Sequence, residues 1–260
     1  FQSDSSPLRI NNLIGYWPFN GNLNDVVNGF NGTALEGPVV YASGIAGDAV
    51  DFRGLNYRIT VPTDAYVVDD FGWTLTWWEW ADPDRTGVTW NWETMLASGP
   101  SVGNEAFQLS RWYATGYDLF IAGTWINEQN TAPRGEWYFH AVAYDQTTGQ
   151  ATWYRNGRAI RTWNAGNPVL DTVIYIGDER GPVGEKNEFK GFIDELKFYN
   201  YPRDKFDIAA DYHALRPDDP FCVEYPDYDI SGPAGIRDCM VDLYDLEAIA
   251  SEWLKSNMRP

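Results

Sequence analysis

The chain has 260 residues and a formal net charge of −18, and 16% of its side chains are aromatic, including 13 tryptophans. Such acidity excludes the usual mode of binding to nucleic acids and anionic membranes, which rests on clustered lysine and arginine. No apolar run reaches the roughly 18 residues of a membrane-spanning helix. An acidic surface suits calcium, although the same charge also serves solubility alone.

Short alternating runs of apolar and polar residues continue from Leu13 to Asn200, separated by Gly, Asn, Asp and Pro. This pattern predicts an antiparallel β-sandwich, with no helix longer than a turn or two before Asp204. Asn156-Gly157 predicts a two-residue hairpin, because both positions tolerate positive φ. The main predicted strands are 48–52, 57–61, 73–80, 106–112, 117–121, 137–144, 151–154, 173–176 and 189–198.

The pattern changes after Pro202. Residues 206–215 predict a short helix packed on the sandwich, and a stiff, polar linker follows it. The tail predicts an amphipathic helix with an apolar face, and we expect Trp253 to be buried within the tail or against the sandwich. That face comprises Val241, Leu246, Ile249, Trp253 and Leu254. The predicted organisation is a sandwich at 8–204, a short helix and linker at 205–220, and a helical tail at 221–260.

The only two cysteines, Cys222 and Cys239, both lie in the tail. In an exported protein we expect them to form a disulfide, and two buried free thiols are the alternative. The sequence begins at Phe1, as a mature product freed of a signal peptide would, and a trimmed chain would look the same. These features predict a secreted or extracytoplasmic protein, in a periplasm or at a cell surface.

A series of tracts along the sandwich resembles the laminin-G-like, concanavalin A-type jelly roll, over residues 10 to 204. The tracts are Leu13-Ile-Gly-Tyr-Trp-Pro-Phe19, Trp73-Thr-Leu-Thr-Trp-Trp78, Trp137-Tyr-Phe-His-Ala-Val-Ala-Tyr-Asp145, Trp153-Tyr-Arg-Asn-Gly157 and Gly191-Phe-Ile-Asp-Glu-Leu-Lys-Phe-Tyr-Asn200. The resemblance implies an all-β, antiparallel jelly-roll sandwich. It also implies binding rather than catalysis, since members of this family are mostly binding modules.

The same resemblance implies a calcium site. The stretch around Asp25 and Asn28 matches the family's Asp-x-x-Gly-x-x-x-Gly region, and Asp194 matches the aspartate of its Ile-Asp-Glu-Val strand. In many relatives these two regions hold one calcium ion, so Asp25, Asn28 and Asp194 are the expected ligands. In the alternative interpretation, Asp25 caps a turn through its own backbone and Asp194 pairs with a nearby arginine.

The tail segment that starts at Asp238 resembles the second half of a dockerin-type calcium loop and its helix. Asp245 fits the last ligand position when Asp238 takes the fifth, and Asp229 and Ser231 fit the first and third if residues 233–237 are an insertion. An insertion departs from the pattern, because the ligand oxygens must converge on the ion. A disulfide-pinned helical cap without metal is the alternative. Since only one half-motif is present, a structural appendage is expected rather than cohesin binding.

The catalytic patterns of enzymes with this fold are missing from the sequence. Laminarinase-like hydrolases carry Glu-x-Asp-x-x-Glu on one strand face, whereas Asp194 and Glu195 are adjacent and point to opposite faces. Lyases of similar fold use a His, Tyr and Arg cluster, but His140 lies where the family has a structural histidine, and His213 is expected on the surface. We therefore expect no catalytic residues, with an unrecognised hydrolase or lyase as an alternative.

Aromatic side chains near turns are the candidates for ligand binding, because Trp and Tyr rings stack on the apolar faces of pyranoses. The candidates are Trp90, Trp92, Trp112, Tyr113, Tyr117 and Trp125. The expected function is calcium-stabilised glycan binding. The alternative is a structural or assembly subunit that contacts proteins in a cell-surface or multi-enzyme complex.

Overall fold

A computed structural model describes residues 13–53, 58–63, 72–84, 92–98, 106–112, 116–128, 132–168, 170–178, 187–219, 221–224, 226–233 and 239–257. The chain divides into two compact units, residues 1–215 and residues 216–260. Within the described ranges, none of the helices is both long enough and apolar enough to cross a membrane.

The described part of the first unit contains fifteen strands and one helix. They are β1 (Leu13–Trp17), β2 (Thr33–Leu35), β3 (Tyr41–Ser43), β4 (Asp48–Asp51), β5 (Arg58–Pro62), β6 (Gly72–Ala81), β7 (Trp92–Ser98), β8 (Phe107–Trp112), β9 (Gly116–Ile121), β10 (Thr124–Glu128), β11 (Trp137–Asp145), β12 (Gln150–Arg155), β13 (Arg158–Asn164), β14 (Val173–Ile176), β15 (Gly191–Tyr199) and α1 (Lys205–Leu215). The second unit contains α2 (Leu243–Asn257).

The strands form two antiparallel sheets. Sheet A has the order β13-β12-β11-β6-β15-β4-β3, and β1 also pairs with β15. Sheet B has the order β10-β9-β8-β7-β14-β5-β2. The predicted all-β, jelly-roll sandwich is confirmed. The pairing of β1 with β15 also brings the first and last family tracts side by side, as Tyr16 lies opposite Lys197.

The core lies between the sheets. It consists of the side chains that point inward, which are every second residue along each strand. Trp77 of β6 and Trp153 of β12 have no exposed surface. The predicted hairpin is confirmed between β12 and β13, with Asn156 at φ 49° and Gly157 at φ 74°. Asparagine and glycine both tolerate the left-handed backbone conformation, so this turn is free of steric strain.

Helix α1 covers part of the outer face of sheet A. The Asp204 carboxylate accepts the backbone N–H groups of Phe206 and Asp207 at 2.8 and 2.9 Å, which caps the helix at its first turn. Tyr212 of α1 stacks on Trp78 with ring centroids 5.6 Å apart. Strand β6 is therefore buried on both of its faces, which explains a tryptophan-rich strand without polar alternation.

Candidate functional site

Three of the predicted ligand-binding tryptophans lie on one face of sheet B, which points away from the core. Trp92 of β7 is paired with Trp112 of β8, and Trp125 of β10 is paired with Phe120 of β9 on the same face. The rings of Trp92 and Trp125 are parallel within 5°, with centroids 6.0 Å apart. Trp112 packs on Trp92 at 4.9 Å. We call Trp92, Trp112 and Trp125 the tryptophan platform.

The platform is open to solvent. Trp92 and Trp125 expose 39% and 46% of their surface, which is unusual for tryptophans inside strands. Phe120, on the same face of sheet B, packs against Trp125 with ring centroids 4.8 Å apart. A rigid aromatic surface of this kind can stack against the apolar face of a ligand without losing side-chain freedom on binding.

Polar side chains occupy the strand positions between the aromatic residues of the platform. The indole N–H of Trp92 donates to the Asp118 carboxylate at 2.7 Å, and the side-chain amide of Asn127 donates to the other Asp118 oxygen. On the neighbouring strands, Thr94 and Ser110 lie opposite each other with their hydroxyl oxygens 3.1 Å apart. Aromatic surface beside hydrogen-bonding groups is the composition of a small-molecule site.

The remaining aromatic candidates do not join the platform. Tyr117 precedes Asp118 by one residue, so its side chain points to the opposite face of β9, into the core, and has no exposed surface. The prediction that Tyr117 contacts a ligand is therefore corrected. Trp90 and Tyr113 lie outside the described residues.

Tyr117 belongs instead to a buried charged cluster between the two sheets, which the sequence did not reveal. Arg111 of sheet B forms an ion pair with Glu79 of sheet A at 2.8 Å, and the Arg111 guanidinium also donates to the Tyr117 hydroxyl at 2.9 Å. The Tyr117 hydroxyl donates to Glu79, and the His140 ring lies 3.7 Å from the same carboxylate. We call Glu79, Arg111, Tyr117 and His140 the core charge cluster.

Electrostatics in the core charge cluster favour a charged pair beside a neutral histidine. Burial raises the pKa of Glu79, but the Arg111 guanidinium and His140 outweigh burial and hold that pKa at about 2. Burial lowers the pKa of His140 to about 4, against the opposing effect of Glu79. Although His, Tyr and Arg meet here, as in lyases of similar fold, all three have no exposed surface. This cluster therefore serves packing between the sheets.

The Asp25 carboxylate is occupied by backbone amides of its own loop and of β1. It accepts backbone N–H groups from Tyr16, Val27, Asn28 and Phe30 at 2.9 to 3.2 Å. The Asn28 side chain donates to the Ile14 carbonyl at 2.9 Å. These contacts agree with the interpretation of Asp25 as a turn cap. With two amide donors on each oxygen, Asp25 does not fit the role of a calcium ligand in this arrangement.

Asp194 lies at a bulge in β15 and is also fully buried. One of its oxygens accepts the N–H groups of Ile45 and Ala46 at 2.9 and 3.2 Å, and the other accepts the N–H of Glu195 at 2.8 Å. Burial raises the pKa of Asp194 to about 7, and the Ala46 amide only partly offsets this. No described arginine pairs with Asp194, so that alternative is not realised. Among the described residues, the partners of Asp194 are backbone amides and include no lysine or arginine.

In the second unit, the structure brings the predicted loop positions of the tail together. One Asp245 oxygen accepts the N–H groups of Ile230 and Ser231 at 2.6 and 2.9 Å. The other Asp245 oxygen accepts the backbone N–H of Asp242 at 2.8 Å. The hydrogen bond from Asp242 makes the largest contribution to lowering the pKa of Asp245, and the bonds from Ser231 and Ile230 add to it. Asp229 has no exposed surface and accepts the Cys239 N–H at 2.9 Å. Asp238 lies outside the described residues.

The predicted disulfide between Cys222 and Cys239 is confirmed. Among the described residues, however, no three His, Cys, Asp or Glu side chains converge in a way that could hold a metal ion. Calcium binding, in the sandwich or in the tail, therefore stays a prediction.

Two packed antiparallel sheets with an outward aromatic face define a jelly-roll sandwich of the lectin type. A laminin-G family model, described as the concanavalin A-like lectin/glucanases superfamily, matches residues 58–209, more than half of the chain. The chain belongs to this superfamily. No curated protein matches it in sequence.

Several solved structures share the fold at low sequence identity. Domain 4 of AbnA, an extracellular GH43 arabinanase from Geobacillus stearothermophilus solved with arabinotriose, is 19% identical with a TM-score of 0.59, over 78% of this chain and 98% of that domain. The binding domain of botulinum neurotoxin serotype D is 15% identical with a TM-score of 0.62, over 78% of this chain. The ligand-binding domain of the same serotype with N-acetylneuraminic acid gives the same identity, TM-score and coverage of this chain. The chain spans about half the length of these toxin domains, 51% and 50%.

Proposed function

We propose that the sandwich is a non-catalytic carbohydrate-binding module, and that glycans bind on the tryptophan platform. The observation that carries the proposal is the pair of parallel, half-exposed rings of Trp92 and Trp125, with Asp118 hydrogen-bonded to Trp92 and to Asn127. The rings offer apolar surface to the C–H face of a sugar, and nearby polar groups can take its hydroxyls.

Two further facts support this proposal. The arabinanase domain and the neurotoxin domain of the same fold were solved with arabinotriose and N-acetylneuraminic acid, respectively. In this chain the polar cluster that most resembles catalytic machinery lies in the core without exposed surface. We expect bound glycans to be recovered uncleaved, and release of new reducing ends would contradict the absence of catalysis.

We propose that the module acts outside the cytoplasm, since the Cys222–Cys239 disulfide suits an oxidising compartment. We also retain calcium as a stabilising ion, with Asp194 as the residue of the sandwich that fits it best. Its carboxylate is buried with only backbone amides as described partners, and a bound calcium would supply a compensating charge. Asp25 would need to release its amide donors before it could take part.

The decisive experiment compares solvent-exposed tryptophans in different places. Glycan-array binding and titration calorimetry would be measured for the wild type, Trp92→Ala, Trp125→Ala and the control Trp253→Ala, whose indole in α2 is 63% exposed. Loss of a platform ring should weaken binding at least about tenfold, the effect of a central interface aromatic, while the control binds normally. Binding to no glycan, with or without chelator, would refute the proposal.

A second candidate function, an assembly subunit with protein partners, is favoured by one feature of the tail. Helix α2 exposes a row of large apolar residues, with Leu246 at 60%, Ile249 at 45% and Trp253 at 63%. Within its own unit, Trp253 is thus not buried as predicted, since the described part of that unit covers little of its surface. Exposed apolar rows often mark interfaces. Native mass spectrometry with Trp253→Ser as the disrupting variant tests this candidate.

A further inference from the structure

We propose that Asp118 is the residue that sets the specificity of the tryptophan platform, and that the platform selects neutral glycans over anionic ones. This inference rests on the proposed function of the same site. Asp118 positions Trp92 by a hydrogen bond and places a carboxylate directly beside the rings on which the sugar stacks.

The positioning role follows from the contacts of Asp118. Its carboxylate accepts the Trp92 indole N–H at 2.7 Å, and a hydrogen bond to a charged acceptor is stronger than one to a neutral acceptor. Asn127, directly across from Asp118 on β10, donates to the second oxygen and holds the carboxylate in place. Asp118 and Asn127 therefore fix the orientation of Trp92, and with it the parallel stacking of Trp92 against Trp125.

The charge-selecting role follows from the burial of Asp118 and from its partners. Asp118 is 97% buried, since only 3% of its surface is exposed, and the described residues include no lysine or arginine paired with it. Its partners are neutral donors, so its negative charge is hydrogen-bonded but not cancelled. The net charge of −18 adds to the negative potential.

The size of the expected effect can be bounded. A sugar carboxylate stacked on the rings would lie roughly 7 to 8 Å from Asp118, and the repulsion at an effective dielectric constant between 20 and 80 corresponds to about twofold to about fiftyfold weaker binding. Removal of the Asp118 charge should recover that factor for acidic sugars alone.

The chain offers a matched control for charge. Glu128 also lies on β10 next to Asn127, but it is paired with Tyr117 and so projects toward the other face of sheet B. Asp118→Asn and Glu128→Gln remove the same charge with little change in shape. Only the first should alter selectivity at the platform.

The experiment measures binding to matched pairs of probes. The pairs are N-acetyllactosamine with and without terminal N-acetylneuraminic acid, and xylo-oligosaccharides with and without a glucuronic acid branch. For every pair whose neutral member binds, we expect the wild type to prefer the neutral member. Asp118→Asn should lower affinity for the neutral member, because Trp92 is held less firmly, yet raise the anionic-to-neutral affinity ratio several-fold. Glu128→Gln should leave the ratio unchanged.

A second measurement tests the potential at the rings without a sugar. Iodide and acrylamide quenching of tryptophan fluorescence would be compared between wild type and Asp118→Asn, each with and without Trp92→Phe and Trp125→Phe to isolate the platform signal. Iodide quenching should rise in Asp118→Asn while acrylamide quenching stays constant.

The outcomes separate the two claims. An equal fall of both affinities in Asp118→Asn, an unchanged iodide signal, or a wild-type preference for acidic sugars would refute the selectivity inference and leave glycan binding intact. Binding of neither member of any pair, nor of any other arrayed glycan, would refute the proposed function and the inference together.

Discussion

Replacement of Glu79 by glutamine should destabilise the sandwich more than any change at its surface. Glu79 is fully buried and accepts hydrogen bonds from Arg111 at 2.8 and 3.1 Å. Glutamine has nearly the same shape, so the substitution opens no cavity. It removes the negative charge and leaves the Arg111 guanidinium buried in the core without its ion-pair partner.

The magnitude follows from the burial of both partners. Removal of one partner of a fully buried ion pair costs about 3 to 5 kcal/mol, because the remaining charge stays desolvated. Arg111 has no exposed surface and keeps its bonds to the Ala132 carbonyl and the Tyr117 hydroxyl, which cannot neutralise its charge. We therefore expect Glu79→Gln to lower the free energy of unfolding by about 3 to 5 kcal/mol.

The assay is urea unfolding followed by tryptophan fluorescence. All of the tryptophans except Trp253 lie in residues 1–215, so the signal reports chiefly on the sandwich. The double variant Glu79→Leu with Arg111→Met removes both charges and should be more stable than Glu79→Gln by at least about 1.5 kcal/mol, since apolar replacement of a whole buried pair is often neutral.

Two results would refute this reasoning. A loss below about 1 kcal/mol in Glu79→Gln would mean that water reaches Arg111 or that the pair is not formed. A double variant less stable than Glu79→Gln would mean that the hydrogen bonds of Arg111, rather than its uncompensated charge, dominate the energetics of the cluster.

Four further predictions concern His140, Asp194, the loop of Asp25 and the disulfide. Because the pKa of His140 is lowered to about 4, His140 binds fewer protons in the folded state than in the unfolded state below about pH 6.5. Its contribution to stability should fall by up to about 3 kcal/mol between about pH 6.5 and 4, and urea titrations should show wild type losing that much relative to His140→Gln over this range. Asp194 acts in the opposite direction, since its pKa is raised to about 7 and its contribution to stability is lost as the pH rises from about 4 to 7. Above pH 7, added calcium should raise the melting temperature of wild type and not that of Asp194→Asn. An equal shift in both proteins would count against Asp194 as a ligand. Asp25→Ala should cost about 1 to 3 kcal/mol, because four backbone N–H groups lose their acceptor, while Asn31→Ala, which removes one acceptor from the same loop, costs less. Reduction of the disulfide should destabilise residues 216–260 by about 3 kcal/mol and accelerate tail proteolysis, with the urea midpoint of the sandwich unchanged; a concerted loss of both units would contradict their independence.

The sequence predicted the parts of the fold that depend on local pattern. The alternation in β11 and β14, and the positive φ required at Asn156 and Gly157, are properties of short segments, and they were predicted in the right place. The short strands β2 and β3, with three residues each, carry too few residues for such a pattern and were missed, as were the longer strands β7 and β10. Their pairing depends on neighbours distant in the sequence.

The sequence predicted that aromatic residues form the candidate site, but it did not predict which of them lie on the same face of the sheet. Trp92, Trp112 and Trp125 were recognised as aromatic residues near turns, and the register of sheet B places them on one face. Tyr117 is also an aromatic residue near a turn, but it lies one position away from the outward-facing Asp118, so its side chain points into the core. Asp118 escaped notice because its role depends on Trp92, from which it is separated by 26 residues.

The amino-acid sequence by itself determined the class of this protein: an acidic, aromatic-rich, all-β chain with a disulfide-bearing tail, because period-two alternation and turn residues act over a few positions. Tertiary structure alone decided which side chains meet. The pairing of Glu79 with Arg111 joins two different sheets, and some of the amide donors to Asp25 and Asp194 come from other segments of the chain. Such contacts depend on strand register and sheet packing, which no local pattern encodes.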